Sequence, residues 1–330
     1  MIASDCQPRY SVWTNVHLAP EDQQRISRSI HPHRLIPAAS LEPTNLTAGA
    51  SDPACLTADI AFGQPAVTDV IASRCLRWVH LTSAGYTRYD REEVRAALGQ
   101  RGGMMTNSSS VYADPCAQHV LAFMLAHNRR LPSAIDAQRS GGDWAYPALR
   151  PTARVLSGQS VLLVGFGAIG RRLADLLAPF GAAILAVRRH PTGTEPVPTV
   201  SVDRLNASLP QADHVVNLLP SAAGTEKMFD AGRFALMHPK AAFYNVGRGD
   251  TVDQDALLEA LTCGRLAAAY LDVTSPEPLP RNHPLWNAPN CVITPHIAGG
   301  VQDEPQRLVD HFLANFARFV AGEPLHDRII

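Results

Sequence analysis

The sequence predicts an α/β protein built from two doubly wound parallel-sheet domains, and three observations carry that expectation. Short apolar runs alternate with helix-like stretches along the whole chain, as strands and crossover helices do. From residue 158 the runs become almost continuously apolar, which is the pattern of strands covered on both faces. The chain has 330 residues, too long for one typical domain of roughly 100–200.

In the first half, residues 11–14, 33–36, 58–62, 77–81 and 103–106 read as strands, and 92–98 as a connecting helix. Asp114 and Pro115 read as N-cap and first helical position of a stronger helix that continues through 117–131. Val120, Leu121, Phe123, Met124 and Leu125 make it apolar on more than one face, so it is expected to bury against another domain or subunit. The second series of strands is expected at 160–164, 183–187, 214–219, 242–246, 267–273 and 292–294. Residues 304–321 form an amphipathic helix, with Leu308, Phe312, Leu313, Phe316 and Phe319 on the face that must pack. One domain is expected over 1–107 completed by 299–330, the other over 108–298.

Composition removes several functions. Lys and Arg number 29 against 30 Asp and Glu, a net charge of -1, which gives no electrostatic footprint for nucleic acid or an anionic membrane. Apolar runs are all interrupted well before about 18 residues, and the first five residues lack a signal pattern, so a cytoplasmic location is the expectation. The six cysteines (Cys6, Cys55, Cys75, Cys116, Cys263, Cys291) are scattered and read as reduced thiols, mostly small buried hydrophobes. His31 and His33 lack a third ligand nearby and read as a solvated loop; no metal is expected.

Gly165-Phe-Gly-Ala-Ile-Gly170 directly follows one of these strands and leads into the helix-like Arg171-Arg-Leu-Ala-Asp-Leu-Leu177. Glycines there permit a tight turn and let backbone N–H groups reach a pyrophosphate at a helix N-terminus, so the chain is expected to bind a dinucleotide. At the end of the next strand, where an acidic residue would accept from the ribose 2′-OH of NAD, stand Arg188 and Arg189. A guanidinium grips a 2′-phosphate that a carboxylate would repel, so NADP(H) is the preferred cofactor and NAD(H) the alternative.

Three further loops each follow an apolar strand: Asn245-Val-Gly-Arg-Gly249, Asp272-Val-Thr-Ser-Pro-Glu-Pro278 and Thr294-Pro-His-Ile-Ala-Gly-Gly300. Strand carboxyl ends are where a doubly wound sheet binds ligands, which makes Arg248, Glu277 and His296 candidate catalytic residues.

Through Gly165-Phe-Gly-Ala-Ile-Gly170, Asn245-Val-Gly-Arg-Gly249, Leu271-Asp-Val273 with Glu277-Pro278, His283-Pro-Leu-Trp286 and Thr294-Pro-His-Ile-Ala298, the chain resembles the D-isomer-specific 2-hydroxyacid dehydrogenase family. The resemblance spans about 58–330. Within it, His283-Pro-Leu-Trp286 and the cofactor arginines are most similar to the NADP-dependent glyoxylate/hydroxypyruvate reductase branch.

The resemblance implies a Rossmann dinucleotide domain, a flavodoxin-like substrate domain and reduction of a small 2-oxo acid. Arg248 would hold the substrate carboxylate and polarise the 2-oxo group, His296 would donate a proton as hydride arrives, and Glu277 would fix the imidazole. Reduction then needs protonated His296 and fades as pH rises, while oxidation needs the neutral form. Ser83, Ala84 and Gly85 match a loop whose backbone N–H groups bind the carboxylate. Cofactor contacts are implied for Gly165, Gly167, Ala168, Ile169, Gly170, Arg188, Arg189, Leu219, Pro220, Val246, Gly247, Asp272, Ala298 and Gly299, with Asp272 at the nicotinamide carboxamide. Trp286 could wall the substrate pocket or a neighbouring subunit's pocket, or equally belong to the core.

Two departures stand out. The long helix reads Ala117-Gln118-His119 where the family usually has Ala-Glu-His, which removes a charged contact, and the first 57 residues match poorly. A homodimer in which the Asp114 helix is exchanged is expected from the family. The alternatives left open are another D-2-hydroxyacid dehydrogenase using NAD, such as a phosphoglycerate type, and a non-catalytic dinucleotide sensor or co-repressor.

Overall fold

β1 (Ser11–Val16) lies between β2 (Arg34–Glu42) and β3 (Ile60–Gly63); β4 (Trp78–Leu81) and β5 (Met104–Thr106) complete a sheet in the order β2-β1-β3-β4-β5. Every pairing in it is parallel. The computed structural model describes residues 10–42, 47 and 49–330, so Cys6 and the first five residues lie outside the described part.

Period-2 alternation sends neighbouring side chains of these strands to opposite faces, and both faces are covered. Val12, Ile60, Phe62 and Trp78 join one apolar cluster with Val309, Phe312 and Phe316 of the helix Glu304–Ala321. The Phe312 ring stacks on Phe62 at 4.3 Å and on Trp78 at 5.5 Å between centroids. Trp13, Ala61, Val79, Leu81 and Met105 line the other face.

The second sheet has seven parallel strands: β6 (Ser160–Val164), β7 (Ala183–Arg188), β8 (Thr199–Ser201), β9 (His214–Asn217), β10 (Ala242–Asn245), β11 (Ala268–Leu271) and β12 (Cys291–Ile293). Their order is β12-β11-β10-β9-β6-β7-β8, so the winding reverses between β6 and β9. That reversal opens a crevice at the strand carboxyl ends. Phe229, Phe234 and Phe243 pack edge-on or tilted in its core beside Leu162, Val215 and Leu257. The two doubly wound sheets expected from the sequence are both present.

The chain divides into two compact units, one ending at Tyr112 and completed by Val301–Ile330, the other Ala113–Gly300. No helix among the described residues is long and apolar enough to cross a membrane.

Several local expectations are corrected. The long helix runs Ser109–Asn128, with Asp114 and Pro115 inside it. Asn107 Oδ1 accepts the Ser109 N–H at 3.2 Å and so starts the helix earlier. Asp114, freed from capping, accepts from Arg172 Nε at 2.6 Å and from Gln118 Nε2 at 2.7 Å. Gln118 therefore makes an intrahelical contact.

β8 escapes sequence reading because Pro196 and Pro198 crowd its entrance and it is only three residues long. Among the described residues the cysteines are not mostly buried: Cys55 and Cys116 are, Cys291 is half-buried, and Cys75 and Cys263 are exposed. His33 is not a solvated loop residue either. Its ring stacks on Tyr10 at 5.1 Å and its Nδ1 accepts the Tyr10 N–H at 2.9 Å.

Candidate active site

The glycine loop turns at the carboxyl end of β6. Gly165 takes φ +100, open to glycine but strained for other residues, and its N–H donates to Val187 O at 2.9 Å, which ties the loop to β7. A Cβ on Gly170 would stand 2.9 Å from Gly165 O, so this position tolerates no side chain. None of the backbone N–H groups of Phe166, Gly167, Ala168 and Ile169 finds an acceptor among the described residues. Four free donors at the start of the helix Ala168–Leu177 make an anion cradle, and these residues fit the pyrophosphate of a dinucleotide.

At the end of β10, a buried relay fixes the Arg248 backbone. Asn217 Nδ2 donates to Asn245 Oδ1 at 3.0 Å and to Thr251 Oγ1 at 2.6 Å. Asn245 Nδ2 and Thr251 Oγ1 both donate to Arg248 O, at 3.1 and 2.6 Å. Gly247 packs on the backbone of Leu219 and Gly249 on that of Thr274, which seats the arginine loop against the loop after β11. The Arg248 side chain is half-buried and donates to Gly247 O at 2.6 Å.

The loops after β11 and β12 are joined by one buried carboxylate. Asp272 Oδ1 accepts from Thr294 Oγ1 at 2.6 Å and from Ile297 N at 2.9 Å, and Oδ2 accepts from Ala298 N at 2.9 Å. His296 N donates to Asp272 O at 2.9 Å. This grip holds His296 at φ +54, a left-handed conformation that costs roughly 1 kcal/mol for a residue with a side chain.

So held, His296 points Nδ1 at Glu277 Oε2, 2.8 Å away, while Glu277 Oε1 accepts the Thr274 N–H at 3.0 Å. Partial burial pushes the Glu277 carboxyl up. The His296 hydrogen bond, the Thr274 N–H and the charges of His296 and Arg248 outweigh it and hold the group below the usual carboxylate range. Glu277 is thus an anion that accepts, Nδ1 carries a proton, and Nε2 is left as the reactive nitrogen. Arg248, Glu277 and His296 are brought together within one unit, on three strand-end loops.

The family described as D-isomer specific 2-hydroxyacid dehydrogenase, NAD binding domain, matches residues 121–298. The chain belongs to the D-isomer-specific 2-hydroxyacid dehydrogenase family. It is 33% identical over 299 residues to the human glyoxylate reductase/hydroxypyruvate reductase, covering 88% of this chain and 86% of that protein. It is 34% identical to glyoxylate/hydroxypyruvate reductase B of Klebsiella pneumoniae over 69% of this chain and 70% of the relative. A D-isomer-specific 2-hydroxyacid dehydrogenase from Xanthobacter autotrophicus, solved with NADPH and MES, superposes with a TM-score of 0.80 at 26% identity, covering 98% of each chain. As a member of this dehydrogenase family, the chain is an NAD(P)-dependent oxidoreductase.

The other expected site residues fall as follows. Arg188, at the end of β7, is half-buried and donates from Nη1 to Glu195 Oε1 at 2.9 Å; Arg189 is exposed. Leu219 and Pro220 follow β9, and the Leu219 N–H donates to Asn217 Oδ1 at 3.2 Å. Asp272 spends both carboxylate oxygens on the turn that carries His296. Trp286 is exposed, with its indole N–H on Pro280 O at 3.0 Å, so it is not a core residue.

In the other unit, the loop after β4 is held from behind by its carbonyls. Ser108 Oγ takes Leu81 O, Tyr112 Oη takes Thr82 O, Ser108 N takes Ser83 O, Asn107 Nδ2 takes Ala84 O and Ser83 Oγ takes Gly85 O. The N–H groups of Ser83, Ala84 and Gly85 find no acceptor among the described residues.

Sequence reading missed Asn217, Thr251, Thr274, Glu195 and the holding residues Asn107 and Ser108. Isolated polar residues carry no spacing signal, and Asn217, Asn107 and Ser108 find their partners 34, 23 and 27 positions away. Thr294 was visible only as part of the histidine motif.

Proposed function

We propose that the protein reduces a small 2-oxo acid of the glyoxylate/hydroxypyruvate kind to its D-2-hydroxy acid with NADPH. The observation that carries this reading is the 2.8 Å contact between His296 Nδ1 and Glu277 Oε2 on a loop packed beside Arg248. The names of the 33–34% identical relatives favour this substrate class over phosphoglycerate.

NADPH, when bound, supplies the hydride. Arg248, whose backbone is locked by Asn245 and Thr251, binds the planar carboxylate and 2-oxo oxygen with its fork of donors. His296 gives the proton on Nε2 to the developing alkoxide, and Glu277 stabilises the imidazolium through Nδ1. In the oxidative direction a neutral His296, protonated on Nδ1, accepts at Nε2. The unpaired N–H groups of Ser83, Ala84 and Gly85 supply donors for a carboxylate. The N–H groups of Gly167, Ala168 and Ile169 take the pyrophosphate, Arg188 and Arg189 the 2′-phosphate, and Leu219, Pro220, Val246, Gly247, Ala298 and Gly299 line the nucleotide.

The protein pairs with a second copy. Leu131, Ile135, Trp144, Tyr146 and Val155 are all exposed within segment 131–155, and a second copy would cover them. The Asp114 helix expected at the exchange, Ser109–Asn128, ends just before this segment.

Steady-state oxidation of NADPH and NADH with glyoxylate, hydroxypyruvate and pyruvate tests the reading. Turnover is expected with the first two and a higher kcat/KM with NADPH; silence with every 2-oxo acid, or a preference for NADH, contradicts it.

A further inference from the structure

The loop after β7 closes on itself through one carboxylate. Glu195 Oε1 accepts from Arg188 Nη1 at 2.9 Å, from Thr192 N at 2.7 Å and from Thr192 Oγ1 at 2.9 Å, while Oε2 accepts from Gly193 N at 2.9 Å. Gly193 sits at φ +76, which bends the chain so that two successive N–H groups point inward. A guanidinium, a hydroxyl and two backbone N–H groups are the donors from which proteins build phosphate sites. Here they are all committed to the chain's own carboxylate, whose side chain is only 2% exposed.

We propose that Glu195 fills, with its own carboxylate, the anion site at the end of β7 that the 2′-phosphate of NADPH enters, and that displacing it sets the affinity for NADPH without affecting NADH. The inference rests on the NADPH reading above. The Thr192 N–H, opposed by desolvation and helped by the Thr192 hydroxyl and Arg188, holds the Glu195 carboxyl down at about 2. It therefore stays charged at any working pH, and the phosphate meets a permanent competitor. Arg189, with no ion-pair partner among the described residues, supplies the charge that draws the phosphate in.

Isothermal titration calorimetry of the full chain with NADPH and NADH tests this without turnover. Glu195→Gln and Glu195→Ser are each expected to tighten NADPH about tenfold and to leave NADH within about twofold. Arg188→Ala is expected to weaken NADPH at least about tenfold. If Arg188→Ala weakens NADPH but neither Glu195 variant tightens it, the Glu195 inference fails while the NADPH reading stands. If Arg188→Ala leaves the NADPH to NADH ratio unchanged, the reading of the strand end falls and the inference with it. NADH binding reports folding in each variant, and Glu195→Ser carries the comparison where Glu195→Gln does not fold.

Discussion

Gly249 lies so close to Thr274 that an added Cβ would stand 1.9 Å from the Thr274 carbonyl oxygen. The neighbour is backbone, so nothing can rotate away. Gly249→Ala must push the arginine loop off the loop that carries Glu277. A loss of about 2–3 kcal/mol in stability is expected, with kcat/KM for glyoxylate falling at least about tenfold as Arg248 moves. Urea unfolding and steady-state kinetics check both; a fully active, equally stable variant contradicts the packing described.

Arg248→Lys tests the fork rather than the charge. Lysine keeps the cation but cannot offer two parallel donors to a carboxylate and its neighbouring carbonyl. A drop of roughly 100-fold in kcat/KM is expected, carried by both kcat and KM, because the same guanidinium orients and polarises. Unchanged kcat with only KM raised would show that Arg248 binds without polarising.

Acid stability follows from two buried imidazoles. Burial, reinforced by the charges of Arg130 and Arg154, pushes His127 down to about 4. Burial and neighbouring His127 push His214 down to about 3. His214 hydrogen-bonds Tyr244 Oη at 2.9 Å and Gln159 Oε1 at 2.8 Å, which the neutral ring satisfies. The folded values lie below the unfolded one, so this stability is complete above about pH 6.5 and is lost as pH falls. Well below pH 6.5 each unit costs about 1.4 kcal/mol per histidine, which integrates to roughly 3 kcal/mol for the pair between pH 6.5 and 5. Denaturant midpoints at the two pH values measure it, and His214→Gln should remove about half of the difference.

Pairing through the exposed apolar residues of segment 131–155 is checked by light scattering after size exclusion. A dimer mass is expected for the native chain, shifted toward monomer by Trp144→Glu, since Trp144 is 85% exposed. A monomer at every concentration contradicts the pairing.

How much of this was legible in the sequence divides along physical lines. Hydrophobic period and glycine punctuation are local properties, so ten of the strands, the glycine loop and the helix Glu304–Ala321 could be placed closely, whereas His33 to Ile36 marks only the start of β2. Arg248, Glu277 and His296 were found because each follows an apolar strand. The residues that hold them were not: Asn217 reaches Thr251 across 34 positions, and Asp272 reaches Ala298 across 26. The long helix was misplaced because Asp114-Pro115 imitates a start signal, while the cap from Asn107 lies two residues before the first turn. Glu195, in a proline-rich stretch that read only as a loop, had no signal at all.

The central claim is that His296, held by Glu277, is the proton donor. Its most direct measure is the pH dependence of kcat for glyoxylate reduction under conditions where a deuteride isotope effect shows that hydride transfer limits the rate. Because the Glu277 carboxyl is held below its ordinary value, it stays an anion to lower pH than a free carboxylate does, and its contact with His296 is kept correspondingly longer. The native rate is expected to decline as pH rises, because reduction consumes the imidazolium proton, and Glu277→Gln to lower kcat at least about tenfold. His296→Asn should lower kcat by roughly 10²–10⁴. A native rate that stays flat as pH rises, with the isotope effect intact, would contradict the assignment.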